Sequence, residues 1–152
     1  GPSGQDGVEF FISANPGEEP KPLSKTASGG ELSRVMLSIK NVLAGRGGVG
    51  TVIFDEVDTG VSGRAAQKIG LKLAQVAVGR QVICVTHLAQ VAAYAGHHSR
   101  IYKQVEAERT YTHVEVLDRE ERVRELARIN VGENITSTAL DSAREMLTLA
   151  GN

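Results

Sequence analysis

The chain has 152 residues, of which 41% are hydrophobic and 23% are charged, and this composition indicates one folded domain or part of one. Its 17 basic and 18 acidic residues nearly cancel, so any contact with DNA needs a local patch or another part of the assembly. Cys84 is the only cysteine, which excludes an internal disulfide bond and suits the reducing cytoplasm. No apolar run is long enough to span a bilayer, so we expect no membrane contact.

The N-terminal part of the chain is rich in proline. We interpret residues 1–7 as a linker or the remnant of an expression tag, and residues 8–12 as a short strand. All four prolines lie within the first 22 residues. Residues 15–22 are therefore predicted to form an exposed loop, because a residue that precedes proline is disfavoured in the helical region.

A helix is predicted from residue 28 onwards. Ser28 and Glu31 have the spacing of a capping box, and Gly29 and Gly30 fall in the first turn, where a ligand can approach the bare backbone. The unpaired N–H groups and the helix dipole make this turn a candidate anion site, with an ordinary capped helix as the alternative. The apolar residues at helical spacing are Leu32, Val35, Met36, Ile39, Val42 and Leu43.

Two adjacent carboxylates, Asp55 and Glu56, follow the apolar strand predicted for residues 51–54. Two carboxylates at the end of a buried strand are costly unless a positive group lies beside them. In the functional interpretation, Asp55 holds Mg²⁺ through a water and Glu56 orients or deprotonates the attacking water of a nucleotide-hydrolysing site. The alternative is that both residues only cap the next turn.

The remaining pattern predicts an α/β fold. A helix at residues 63–78 and a second apolar strand at residues 81–85 indicate a mostly parallel sheet that is covered on both faces. A short helix follows at residues 88–95. The last third predicts a hairpin and two closing helices, at residues 99–105, 110–117, 120–129 and 136–149.

His87 follows the second apolar strand, and Asp58 lies two residues beyond the acidic pair. A histidine at that strand end can reach a terminal phosphate and the attacking water, although such a residue is commonly only a polar strand terminus. We expect Asp58 to begin a loop that communicates with a partner subunit. Residues 45–51 imitate a phosphate-binding loop, but they lack its lysine and no strand precedes them, so we interpret them as a linker that starts where Gly45 ends the helix.

Together these motifs resemble the C-terminal lobe of an ABC-type P-loop ATPase head, in the SMC-like branch. Residues 28–31 are similar to the ABC signature, residues 52–56 to Walker B, Asp58 to the D-loop and His87 to the switch histidine. The longer strings at residues 27–34, 54–63 and 85–92 resemble the RecN family of bacterial DNA repair proteins. The signature departs from the common transporter form, since Ala27 replaces leucine and Glu31 replaces glutamine.

The resemblance implies an ATP- and Mg²⁺-dependent head that acts in recombinational repair of DNA double-strand breaks in the cytoplasm. It implies that the Walker A lysine and the coiled coil lie outside this chain, so the chain alone is expected to be inactive. The N-terminal half of the head would hold ATP against Asp55 and Glu56. Ser28, Gly29, Gly30 and Glu31 of a second head would close over the γ-phosphate in a homodimer, and the full-length protein would tether DNA.

Two other functions stay open. The chain could belong to another SMC-like repair or chromosome-organising ATPase, against which the string at residues 58–63 argues. It could also be a dimerisation or DNA-docking module that uses no nucleotide, with a structural acidic pair. Magnesium-dependent ATP binding by this chain mixed with the N-terminal half would separate the last alternative from the others.

Overall fold

The structure is a computed structural model that describes residues 4–13, 16–26, 28–43 and 49–152. Six strands and six helices follow one another in these residues. The strands are β1 (Phe11–Ile12), β2 (Lys21–Pro22), β3 (Thr51–Phe54), β4 (Gln81–Cys84), β5 (Ser99–Glu106) and β6 (Arg109–Val116). The helices are α1 (Leu23–Thr26), α2 (Gly29–Val42), α3 (Gly63–Val76), α4 (Ala89–Ala92), α5 (Arg119–Val131) and α6 (Ser137–Leu149).

Two parallel strands, β3 and β4, carry the candidate site. Thr51 pairs with Gln81 and Phe54 pairs with Cys84, so both strands end at the same level. Helix α3 connects them, as parallel strands require a crossover of a dozen or more residues. The predicted parallel pairing is confirmed, and it brings the residues that follow both strands to one edge.

Helices α2 and α3 cover one face of this strand pair. Their apolar residues form a core with the strands, which we call the sheet core; its buried members are Leu37, Phe54, Val57, Ala66, Ile69, Leu73, Val76 and Val91. Cys84 packs against this core, where burial and the nearby charges of Asp58 and Asp55 raise the pKa of its thiol to about 12. Cys84 thus behaves as a small apolar residue, as expected from its apolar run.

The other face of β3 and β4 is bare in the part of the chain that the structure describes. Ile53 is 66% exposed, Ile83 is 43% exposed and Val85, just after β4, is 51% exposed. The sequence predicted cover on both faces because its strands do not alternate polar and apolar residues. Parallel sheets are normally buried on both faces, so the missing cover is a layer that these residues do not supply.

The C-terminal third forms the predicted hairpin and two helices. Strands β5 and β6 pair antiparallel from Ser99↔Val116 to Glu106↔Arg109. Helices α5 and α6 pack on α4 through a second core, which we call the helical core; its buried members are Ala89, Ala92, Ala93, Val123, Leu126, Ala127, Ala139, Ala143 and Leu147. Because α4 contributes residues to both cores, it joins the strand pair to the C-terminal helices.

A buried carboxylate, Glu125, connects the hairpin with α5. Arg128 donates two hydrogen bonds to it, of 2.8 and 2.7 Å, and the Arg100 Nη1 lies 4.0 Å away. Burial favours a higher pKa for Glu125, but the hydrogen bonds and charge of Arg128 and the charge of Arg100 outweigh it and lower the pKa. The carboxylate is therefore compensated, as a buried charge must be.

The N-terminal region differs from its prediction. The strand expected at residues 8–12 is limited to Phe11–Ile12, and the loop expected at residues 15–22 ends in the paired strand Lys21–Pro22. Proline is tolerated there because the two-stranded sheet leaves an edge that needs no N–H donor. Residues 1–3 of the linker and residues 45–48 of the imitated phosphate loop lie outside the described residues.

None of the helices in the described ranges is both long enough and apolar enough to cross a membrane.

At Gly70, α3 lies against α4 and against Tyr94, which follows α4. A Cβ atom at this position would overlap the Tyr94 ring and lie 3.1 Å from the Gln90 carbonyl oxygen. We expect Gly70→Ala to lower the free energy of unfolding by about 1–3 kcal/mol through overpacking, despite the higher helix propensity of alanine. Urea unfolding measures this change. Gln67→Ala, at an exposed position of the same helix, should stay within about 0.5 kcal/mol of the parent; a stabilised Gly70→Ala variant would contradict the packing.

Candidate functional site

The first turn of α2 has the predicted capping box. The Ser28 N–H donates to Glu31 Oε2 at 2.8 Å, and the Glu31 N–H donates to Ser28 Oγ at 3.4 Å. Hydrogen bonds from the Ser28 backbone and hydroxyl lower the pKa of the Glu31 carboxyl. The amides of Gly29 and Gly30 follow in the turn where a helix provides no internal acceptors. The polar start of this helix therefore combines a cap with two candidate donors for an anion.

Side chains of α2 hold the turn that carries the acidic pair. The Ser33 hydroxyl donates to the Asp55 carbonyl at 2.9 Å. The Arg34 Nη1 donates to the carbonyls of Val57 and Thr59 at 3.3 and 2.9 Å. These bonds satisfy backbone oxygens of an irregular segment, which would otherwise be costly beside the sheet core. The turn is thus fixed by the helix whose start resembles the ABC signature.

Gly29 and Gly30 permit the close contact between α2 and this turn. A Cβ atom on Gly30 would lie 3.0 Å from the Glu56 carbonyl oxygen, and one on Gly29 would lie 2.8 Å from Glu56 Oε2. The Glu56 carboxylate consequently lies at the N-terminus of α2 of its own chain, where the helix dipole favours a negative charge. Gly30 is therefore the position where packing against backbone within the chain restricts a side chain, whereas at Gly29 the exposed Glu56 side chain can move aside.

The acidic pair itself is exposed. Asp55 and Glu56 follow the buried Phe54, and Glu56 has a φ of 56°, in the left-handed region that glutamate seldom adopts. Neither carboxylate forms an ion pair with the described residues, since Arg34 is bonded to carbonyl oxygens. An unusual backbone conformation that displays an unneutralised acid is typical of a functional site.

Asp58 is almost fully buried, in contrast to the acidic pair, with 1% of its surface exposed. Its Oδ2 accepts hydrogen bonds from the Thr86 hydroxyl and, at 3.2 Å, from the His87 N–H. The Nδ1 atom of His87 lies 3.4 Å from the same oxygen, while 70% of the His87 side chain is exposed. Asp58 therefore bridges the segments that follow β3 and β4.

The carboxylates of the acidic turn suit a Mg²⁺ ion that takes most of its ligands from water and phosphate. No group of three or more His, Cys, Asp or Glu side chains at metal-binding distance occurs among residues 4–13, 16–26, 28–43 and 49–152. Mg²⁺ commonly keeps several waters and takes one or two carboxylates together with phosphate oxygens of its substrate. The exposed and unpaired Asp55 suits that role, whereas the residues described do not form an all-protein metal cage.

The structure shows three contributors that the sequence interpretation did not assign. Ser33 and Arg34 hold the acidic turn, and Thr86 holds Asp58. For Ser33 and Arg34, the available signal was their helical spacing from Gly30 and Leu37, which are the buried residues of α2. Residues at this spacing lie on one face of a helix. Thr86 could have been noted as the polar residue next to His87.

The fold is similar to that of a solved SMC ATPase chain, studied for ATP-driven dimerisation and DNA-stimulated activation. The similarity has a TM-score of 0.51, covers 79% of each chain and accompanies 18% sequence identity. No family model matches the chain. The chain therefore has the fold expected from its sequence, that of the C-terminal lobe of an SMC-like ATPase head.

Curated relatives specify the family. The chain is 51% identical over 148 residues to the DNA repair protein RecN of Halalkalibacterium halodurans, and 50% identical over 147 residues to that of Bacillus subtilis. It is 49% identical over 150 residues to RecN of Streptomyces coelicolor. These alignments cover 97–99% of the chain but only 26% of each relative. The chain belongs to the RecN family and spans about a quarter of the length of these relatives.

The backbone of Glu56 can be tested separately from its carboxylate. Because glycine adopts a positive φ without steric cost, Glu56→Gly should be about 1 kcal/mol more stable than Glu56→Ala. Chemical denaturation of both variants measures the difference. At Arg124, in the middle of α5, the order should reverse, with alanine about 1 kcal/mol more stable than glycine. Equal stability of the two Glu56 variants would mean that this backbone is unstrained.

Proposed function

We propose that this chain is the C-terminal half of the ATP-hydrolysing head of a DNA repair protein. One observation carries the proposal: Asp55 and Glu56 stand exposed and unpaired at the carboxyl end of β3, on a turn held by the helix that begins with Ser28–Gly30. Ligands of open α/β sheets bind at this edge. The RecN names of the relatives and the SMC head similarity support both the ATPase chemistry and the repair role.

The proposed partner within the same head is its N-terminal half. The uncovered face of β3 and β4, with Ile53, Ile83 and Val85, offers an apolar surface for another layer of the sheet fold. That half would also supply the phosphate-binding lysine, which the motifs of this chain do not include. Burial of the exposed isoleucines and valine would stabilise the association by the hydrophobic effect.

Three residues at the carboxyl ends of β3 and β4 have separate roles in the proposed reaction. Asp55 would hold Mg²⁺ through a water, and the ion, when bound, would supply positive charge against the phosphates of the nucleotide. Glu56 orients the attacking water and accepts its proton. His87, whose side chain is 70% exposed beside the same edge, contacts the γ-phosphate.

A second head would complete the site in trans. Gly29 and Gly30 would present their amides to the γ-phosphate held by the opposing head, and the Ser28 hydroxyl would turn from Glu31, to which it donates at 3.1 Å, toward that phosphate. Since the Ser28 N–H is bonded to Glu31, the carboxylate of Glu31 would serve the cap and not the phosphate. ATP would thereby join two heads of a cytoplasmic homodimer, and hydrolysis would release them while the full-length protein tethers DNA.

The general base is tested in the full-length protein that contains this chain. Glu56→Gln should reduce ATP turnover by about 10²-fold or more while ATP binding persists, because the amide cannot accept the proton of water. It should also prolong the ATP-bound dimer. Phosphate release and nucleotide binding are measured in parallel. Glu108→Gln is the matched control, because Glu108 is also exposed and has a φ of 65°. Near-normal turnover in Glu56→Gln would show that another group is the base.

The trans role of the signature predicts a different defect. Ser28→Arg places a large cation at the start of α2, so it should block ATP-driven dimerisation while the monomer still binds nucleotide. Gel filtration with ATP and Mg²⁺ measures the dimer. Ser137→Arg, an exposed substitution in the first turn of α6, serves as control and should dimerise normally. If Ser28→Arg still formed dimers with ATP, residues 28–31 would not be part of the dimer interface.

A further inference from the structure

Asp58 has surroundings that do not suit contact with another subunit. Its side chain is 1% exposed, and its Oδ2 faces donors that all belong to residues 86 and 87 of the same chain. A buried carboxylate without hydrogen bonds is costly, so turning Asp58 outward would sacrifice these contacts. Communication across a dimer interface, the role expected from the D-loop resemblance, would require such a movement.

Thr86 fixes the position of this carboxylate. Its hydroxyl donates to Asp58 Oδ2 and accepts a hydrogen bond from the Leu88 N–H at 3.1 Å. The Leu88 donor leaves the hydroxyl proton free to point at the carboxylate, and the His87 N–H holds the same oxygen at 3.2 Å. Asp58 is therefore held at a defined place beside the His87 ring.

The contact of Asp58 with His87 has a chemical consequence. The ring Nδ1 lies 3.4 Å from Oδ2, and a negatively charged oxygen attracts a proton on the nearer ring nitrogen. Nε2 is then the nitrogen left for a ligand. A neighbouring carboxylate that favours the proton on one ring nitrogen thereby determines what the other nitrogen can do.

We propose that Asp58 and Thr86 are positioning residues for His87: they hold its Nδ1-protonated form and its ring orientation, so that Nε2 faces the bound nucleotide. Neither residue touches the nucleotide itself. The assignment rests on the proposed function for its effect on turnover, but the protonated nitrogen of His87 can be observed without ATP.

The first test measures the histidine ring directly. The full-length protein is labelled with ¹⁵N-histidine, and the His87 signals are assigned by comparison with His87→Gln. At neutral pH and without nucleotide, the parent protein should show the Nδ1–H form. Thr86→Val should increase the Nε2–H form because Asp58 loses a fixed donor, and Thr86→Ser should restore the parent spectrum. A predominant Nε2–H form in the parent would overturn the proposal, whether or not the protein hydrolyses ATP.

The second test is a double-mutant cycle of turnover. Asp58→Ala and Thr86→Val should each lower kcat about tenfold or more and change the KM for ATP little, because they disturb a group used in the reaction. In a His87→Ala background, neither should lower kcat further, since residues that act through one group are not additive. Asp141→Ala, which removes an exposed carboxylate on α6, should leave turnover unchanged.

Two results would distinguish the positioning role of Asp58 from a role at the head interface and from a contact without catalytic effect. A further loss of turnover or of ATP-driven dimerisation by Asp58→Ala in the His87→Ala background would assign Asp58 to the head interface and overturn the positioning role. An undiminished kcat in His87→Ala, with the Nδ1–H form present in the parent, would reject the proposed role of His87 in hydrolysis while the contact with Asp58 stands. Thr86→Val keeps the cycle informative if Asp58→Ala does not fold.

Discussion

The hydrogen bonds from α2 to the turn after β3 are the contacts on which the site depends. Ser33 and Arg34 satisfy three carbonyl oxygens of residues 55–59, a segment with no strand or helix to pair them. Because the guanidinium of Arg34 is used on carbonyls, it does not neutralise Asp55 or Glu56. One helix thus stabilises the irregular backbone while the acidic pair stays available to a metal and a nucleotide.

The same contact gives Gly29 and Gly30 a role within the chain besides the one proposed for them at a second head. Gly30 lets α2 approach the Glu56 carbonyl, and Gly29 leaves room for the Glu56 carboxylate at the helix start. A substitution at Gly30 would therefore disturb the acidic turn of its own chain before it affected any second head, and one at Gly29 would displace the Glu56 side chain. Loss of activity on mutation of these glycines is consequently not, by itself, evidence for a trans contact, whereas a bulky substitution at the exposed Ser28 tests that contact more directly.

Two buried carboxylates are compensated in different ways. Glu125 is held by the two hydrogen bonds and the positive charge of Arg128, which suits a structural link between the hairpin and α5. Asp58 receives its hydrogen bonds from a hydroxyl and a backbone N–H, with an imidazole nearby. This set contains no arginine or lysine, and it lies at the edge where the reaction is proposed to occur.

The sequence by itself determined the elements whose signals are local. Helix α2 and its Ser28–Glu31 cap, the apolar strands before Asp55 and His87, and the C-terminal hairpin with two helices were predicted and are confirmed. Hydrophobic period and cap spacing involve residues at most a few positions apart, so they can be identified without a fold. The acidic pair was identified for the same reason.

Only the tertiary structure decided which groups share a contact. Arg34 donates hydrogen bonds to the carbonyls of residues 57 and 59, and the buried Asp58 accepts one from Thr86. These contacts join segments that lie more than 20 residues apart in the chain. No local pattern encodes such pairings, because they depend on the register of β3 against β4 and on where α2 crosses the turn. The same holds for the bare face of the strand pair: the apolar sequence predicted a covered sheet, and the fold shows that the described residues cover only one side.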